Sequence, residues 1–187
     1  MRQERLQVST YGWIEARNVQ GIIPEFSSVS GDIILDGANF ASAAVFSAVN
    51  GMIVGNEVSF ESGVNISAVS GAIIMQNSTF GGTANLSAVN GELRSASNRF
   101  LGTANLSTVN GSPFSDNDSF AAMNISTVNG NAVVSLAQPA QNYNIIISSM
   151  VGGLFYNNTQ IGAEDLKTNA STRINFSSVI GSLEIFD

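Results

Sequence analysis

Phe46-Ser47-Ala48-Val49-Asn50-Gly51 returns twenty residues on as Ile66-Ser67-Ala68-Val69-Ser70-Gly71. It returns again as Leu86-Ser87-Ala88-Val89-Asn90-Gly91 and as Leu106-Ser107-Thr108-Val109-Asn110-Gly111. A phrase recurring at a fixed period of roughly 20 to 50 residues marks a solenoid, a propeller or an array. The central valine anchors the repeat at Val29, Val49, Val69, Val89, Val109 and Val128, then at Met150 and Val179.

Other columns keep step with it. Serine stands two residues before the anchor, at Ser27, Ser47, Ser67, Ser87, Ser107, Ser126, Ser148 and Ser177, and a large apolar residue stands one place earlier, from Phe26 to Phe176. Glycine stands two residues after it, at Gly31, Gly51, Gly71, Gly91, Gly111, Gly130, Gly152 and Gly181. Ile33, Ile53, Ile73 and Leu93 form another apolar column, and Phe40, Phe60, Phe80, Phe100 and Phe120 an aromatic one.

Twenty residues are too few for a pair of helices, which take about 33 or more per repeat. Apolar residues alternate over two or three places and then break at turn formers, the pattern of strands. Ala84-Asn85-Leu86-Ser87-Ala88 reads in, out, in, out, in. The spacing therefore predicts an all-β fold: a parallel β-helix (β-solenoid) with about 20 residues and two to four strands per coil. Roughly eight or nine coils at about 4.8 Å each give a rod about 40 Å long. The Phe, Ile/Leu and Val columns are expected to fill the interior, and the glycine column to mark a corner of positive φ or close backbone approach. Asn65, Asn85, Asn105, Asn124 and Asn144 are expected to form a hydrogen-bonded ladder.

The organisation expected along the chain is an N-terminal cap over residues 1–20, regular coils over 21–155, an inserted loop over 156–173 and a terminal coil over 174–187. Tyr11 and Trp13 lie in the cap, and Arg17-Asn18-Val19-Gln20-Gly21 echoes the phrase ten residues early. The inserted loop carries Glu164, Asp165 and Lys167, and insertions in solenoids are frequent contact sites, so these three are candidate interaction residues. The last segment, Ser182-Leu183-Glu184-Ile185-Phe186-Asp187, reads as a strand with nothing polar behind it. It predicts a bare edge, with Leu183, Ile185 and Phe186 available to a partner.

Composition narrows the function. In 187 residues, 44% are hydrophobic and only 11% charged, so Ser, Thr, Asn and Gln make the polar surface. That balance is common in secreted, cell-surface and virion proteins. The net charge is -7 and the seven basic residues are scattered, which argues against nucleic-acid binding. No stretch approaches the ~18 apolar residues of a membrane span. Met1-Arg2-Gln3-Glu4-Arg5-Leu6 lacks an apolar run behind its charges, so no signal peptide is expected and cytosolic synthesis followed by assembly is.

The chain has no His and no Cys. Ser-His-Asp and Cys-His catalysis are thereby excluded, with thiolate and imidazole metal sites. Paired carboxylates remain, yet Asp32 and Glu92 stand three coils apart, roughly 14 Å, and Asp36 and Asp116 four. Glycosidase carboxyls sit about 5 to 9.5 Å apart. Asp36 with Glu57, or Asp116 with Asp118, is close enough to hold a cation loosely, although solvated turn carboxylates are the expected reading. No enzyme activity, cofactor or metal is expected. The Asn-x-Ser/Thr triplets, such as Asn65-Ile66-Ser67, fall in strands and are by-products of the repeat.

Val29-Ser30-Gly31-Asp32-Ile33 and the Ser-Ala-Val-Asn-Gly series resemble the repeats of bacterial putative-adhesin β-solenoids and, more distantly, bactofilins. The likeness covers roughly residues 19–153 and implies a β-helical subunit; bactofilin subunits polymerise head to tail. Ala84-Asn85-Leu86-Ser87-Ala88 also resembles a pentapeptide repeat, but the five-residue period fails later in the same coil. The function expected is that of a structural or assembly protein, a rigid subunit of a filament or virion-type particle. Its partner is itself, head to tail or laterally, or another subunit. The alternatives are a surface adhesin or receptor-binding fibre module, and an ice-binding protein whose Ser column is flanked by Ala88, Thr108 and Thr127.

Overall fold

A computed structural model describes residues 4–20, 22–148 and 151–187. It is a stack of short parallel strands, the β-solenoid that the period of twenty implies. A nine-stranded sheet runs in the spatial order Glu4–Thr10, Ile22–Ser28, Ala44–Ala48, Val64–Ala68, Ala84–Ala88, Thr103–Asn110, Ala122–Asn129, Thr172–Ile180 and Tyr143–Ser148. A ten-stranded sheet begins at Ile14–Arg17 and ends on the Leu154–Tyr156 and Thr159–Gln160 strands. A four-stranded sheet of two-residue strands, from Asn39–Phe40 to Arg99–Phe100, forms a third side. About six turns keep the near-twenty spacing, and the rungs beyond them depart from it, so the regular coils are fewer than the eight or nine expected.

Alternation places the core. Ala84, Leu86 and Ala88 are buried while Asn85 and Ser87 face out, and the neighbouring strands match residue for residue. Ile33, Ile53, Ile73 and Leu93 are fully buried, and Phe40, Phe60, Phe80 and Phe100 stack with ring centroids 5.6, 5.1 and 4.6 Å apart. Phe120 leaves that column and packs on Tyr143 instead. The step from Asn98 to Asp118 explains why: the third sheet ends at Arg99–Phe100, a single bridge from Arg99 to Ser119 follows, and the next strand pair slips at Asp116/Asp118.

Several columns point differently from the expectation. The valine column is outside the core: Val29, Val49, Val69, Val109, Val128 and Val179 are all 37–56% exposed. The buried position is the one before it, held by the small residues Ser28, Ala48, Ala68, Ala88, Thr108, Thr127 and Ser178. The in–out alternation of Ala84–Ala88, carried one residue further, turns the valine outward; the expectation that it fills the core followed its apolar character and not that alternation. For the same reason Ala88, Thr108 and Thr127 do not flank the serine column on the surface, which removes the array the ice-binding reading used. Met150 lies outside the described residues, as do Met1, Arg2, Gln3 and Gly21.

The glycine column follows from close approach. A Cβ on Gly71 would stand 2.0 Å from the carbonyl oxygen of Gly51, and one on Gly91 1.9 Å from that of Gly71. Left-handed backbone falls at a different corner, on Asn18, Gly37, Glu57, Asn77, Ser97 and Asn117, only one of them glycine. Asparagine is among the few side chains that tolerate that conformation, through local hydrogen bonds.

The largest departure is the order of the last coils. Thr172–Ile180 pairs with Ala122–Asn129 on one edge and Tyr143–Ser148 on the other. Leu183–Phe186 likewise lies between Ala132–Leu136 and Leu154–Tyr156. The chain skips one rung, builds the outermost coil with residues 143–160, and returns to fill the gap. The asparagine ladder shows the consequence: Asn65, Asn85, Asn105 and Asn124 are joined side chain to side chain and end on Asn175, whereas Asn144 stands opposite Arg173.

Candidate functional site

The two ends of the rod differ, and that difference bears on every candidate interaction residue. At the end built by residues 140–168 the strand edges are partly covered. Leu154–Tyr156 is closed by an antiparallel hairpin to Thr159–Gln160, whose turn uses left-handed Asn157 and Asn158. The Ala163–Leu166 3-10 turn packs on the Tyr143–Ser148 edge with Leu166 buried, and the Thr168 hydroxyl donates to the Tyr143 carbonyl at 2.7 Å. Covering edges in this way is how a sheet avoids unwanted pairing.

The six candidate residues separate accordingly. Glu164, Asp165 and Lys167 are exposed on the capping turn. Lys167 donates to Glu164 three residues back, and the Asp165 carboxylate accepts the Gly162 amide at 2.7 Å, so their charges serve the turn itself. A shallow groove of about 520 Å³ beside them is lined by Asn144, Ile146, Lys167, Thr168 and Asn169. Leu183 and Ile185 are fully buried and Phe186 is half-buried. The bare edge expected there is absent because the strand is paired on both sides.

Asp187 fastens this end. Its carboxylate accepts the Tyr156 hydroxyl at 2.6 Å, the Asn157 amide at 3.0 Å and the Ala140 backbone N–H at 3.0 Å. The Tyr156 bond, with those from Asn157 and Ala140, holds Asp187 below the usual carboxylate range. The same bond raises the Tyr156 hydroxyl.

Among the described residues the opposite end is open. Residues 4–17 form a complete rung, Glu4–Thr10 in register with Ile22–Ser28 and Ile14–Arg17 with Ile33–Asp36. Among the described residues nothing pairs with the outer edges of these two strands. Leu6, on the inward-facing side opposite Pro24, is 42% exposed, and Tyr11 and Trp13 are 79% and 67% exposed at the adjoining corner. The segment expected to cap the rod is its first rung.

Inside the rod lies a polar cluster that sequence reading missed. Side chains at one corner satisfy the backbone N–H of the rung before: Ser78 for Val58, Asn98 for Ser78 and Asp118 for Asn98, at 3.1, 2.8 and 2.8 Å. The Asn98 amide also donates to Ser95 and to the Met75 carbonyl, and the Ser115 hydroxyl donates to Asp118 at 2.7 Å. Asp118 is 1% exposed, and burial pushes its carboxyl up despite these bonds. It turns inward while Asp116 stays partly exposed on the other side of the strand, so this pair does not form the loose cation site considered above. The signal was present as the twenty-residue series Val58, Ser78, Asn98, Asp118.

Among the described residues no three acidic side chains converge, and no helix is long and apolar enough to cross a membrane. No known protein family, curated protein or solved structure matches this chain.

Proposed function

We propose that this protein is a non-enzymatic structural subunit, a rigid rod that docks through its N-terminal rung into a larger assembly of the filament or virion kind. The observation that carries the reading is the asymmetry of the ends: one is partly covered by a hairpin and a packed turn, the other leaves two strand edges and Leu6 uncovered. Unpaired strand edges are templates for another strand, and natural sheets hide them unless they are used. The partner is therefore a protein with a complementary edge, a second copy or another subunit of the particle. A head-to-tail stack of identical rods is the less favoured arrangement, because the hairpin and the packed 3-10 turn at the other end obstruct its terminal strands. Nucleic acid is not a partner, as the net charge of -7 repels phosphate.

Light scattering over a concentration series, with negative-stain electron microscopy of the tag-free protein, tests this. Discrete multimers or filaments are expected. A dispersed 19.5 kDa monomer at every concentration contradicts self-assembly.

A second reading, a surface-binding or adhesin module, draws on the exposed Tyr11 and Trp13 pair. Aromatic side chains are enriched at binding hot spots. If that reading holds, Tyr11→Ala with Trp13→Ala abolishes attachment to a target surface and leaves the oligomeric state unchanged.

A further inference from the structure

The open rung presents its backbone groups in a fixed pattern. In a parallel ladder a residue turns both its N–H and its C=O to one neighbour, and the next residue turns both to the other side. The Ile14 N–H donates to Asp32, the Asn18 N–H donates to Asp36, and the Thr10 carbonyl accepts the Val29 N–H. Val8, Thr10, Ile14 and Ala16 therefore bond the second rung. Gln7 and Ser9 on one strand, with Glu15 and Arg17 on the other, aim their donors and acceptors out of the open end. No strand among the described residues meets them. Their side chains are exposed on the outer faces, while Val8, Ile14 and Ala16 pack on the core.

The corner between these strands carries a second sign of a missing neighbour. A Cβ on Gly31 would strike the Gly12 backbone at 2.4 Å, one on Gly51 the Gly31 backbone at 2.3 Å and one on Gly71 the Gly51 backbone at 2.0 Å. Each of these glycines is required by the rung on its N-terminal side. Gly12 heads the column, yet among the described residues a Cβ on it would meet only the Thr10 hydroxyl, at an ordinary 3.7 Å. Glycine costs backbone entropy wherever it is ordered, and no described rung of this chain demands it there. A neighbour from outside, approaching as closely as one rung approaches the next, does.

We propose that this neighbour is a second copy, docked open end to open end about a twofold axis through Gly12; the proposal rests on docking through the N-terminal rung and names the occupant. An axis through the corner lays the Glu4–Thr10 strand of each copy antiparallel on the partner's Ile14–Arg17 strand, an isologous contact. Ser9 then faces the partner's Glu15 and Gln7 faces the partner's Arg17, each pair exchanging both N–H···O bonds as antiparallel partners do. The same register sets Val8 on the partner's Ala16 and Thr10 on the partner's Ile14, so core meets core. Tyr11 meets the partner's Trp13, which covers the two most exposed aromatic side chains. On the outer faces a hydroxyl stands by a carboxylate and an amide by a guanidinium, and no like charges are opposed. A single foreign strand satisfies one edge. Satisfying both edges around one corner, with a glycine at the turn, is what another copy of this rung does.

The chain has no cysteine, so introduced thiols report cleanly. Ser9→Cys and Glu15→Cys proteins are oxidised, each alone and then mixed, with light scattering and Trp13 quenching of the wild type alongside. The pairing gives disulfide-linked dimers in the mixture at least tenfold above either variant alone, because the two positions face each other only across the axis. A rise in wild-type mass with Trp13 protected, but no excess of dimers in the mixture, overturns this pairing and leaves docking through the rung standing. A mass that stays monomeric at the highest soluble concentration overturns the pairing and self-association together. Gly12→Val serves as a second variant: the open corner admits its side chain, so melting temperature and secondary structure match the wild type while dimerisation weakens at least tenfold. A dimer of unchanged strength in Gly12→Val also overturns the proposal.

Discussion

Asp118 is a residue whose effect on stability depends on which atom replaces it. Its carboxylate satisfies the Asn98 amide N–H and the Ser115 hydroxyl in a buried corner. Asp118→Ala leaves that N–H buried and unpaired, at a cost of about 1–3 kcal/mol. Asp118→Asn keeps an acceptor for the amide and removes a charge that burial disfavours, so it matches or exceeds the wild type at neutral pH. The sign with pH follows from the raised carboxyl. The unfolded chain releases its proton near pH 3.9, the folded chain only at a higher pH, so this contribution falls as pH climbs between the two values and is constant above. Urea melts of wild type and Asp118→Asn across pH 3–8 check both statements, the difference between the proteins growing with pH. Asp187 has the opposite sign: its depressed carboxyl stabilises the cap above about pH 3.9, and that is lost as pH falls through the folded value. Gly71 illustrates a steric limit. With the Gly51 oxygen 2.0 Å from a Cβ, Gly71→Ala forces the rungs apart and lowers stability by roughly 1–3 kcal/mol, measurable in the same melts.

At the scale of elements, most of the repeat was legible because each strand alternates cleanly and pairs in register with its copy twenty residues away. The Ile and Phe columns needed nothing more. The Asn98–Asp118 corner was not legible, since it sits where the chain turns and the period of two stops, whereas the valine column was: alternation carried one place past Ala88 turns it outward. The inserted last coil was hidden for a different reason. Thr172–Ile180 carries the same pattern of large apolar residue, Ser, small residue and Val as the other rungs, and nothing in that pattern says which neighbour it pairs with. The sequence step of twenty-nine residues before Val179 pointed to an insertion but not to a detour that returns inside it. Two outcomes follow from the detour. Leu183→Ala and Ile185→Ala each destabilise by about 2–5 kcal/mol, as core truncations do and edge truncations do not, which thermal melts will read. In hydrogen exchange the amides of Leu183–Phe186 are among the slowest of the chain, and those of Glu4–Thr10 among the fastest.

The molecule as a whole is a rod with one partly covered end and one open end. That form is what makes assembly the reading of its function, and sequence alone reached the rod while assigning the bare edge to the wrong end. Trp13, the only tryptophan, stands 67% exposed beside the open rung and reports on it directly. The decisive measurement is acrylamide quenching of Trp13 fluorescence, followed together with light scattering from dilute to concentrated protein. Docking through the N-terminal rung predicts that quenching falls and the emission moves to shorter wavelength as the scattering mass rises. A rise in mass with Trp13 as accessible as in the monomer contradicts docking through that rung, and no rise at all contradicts self-assembly.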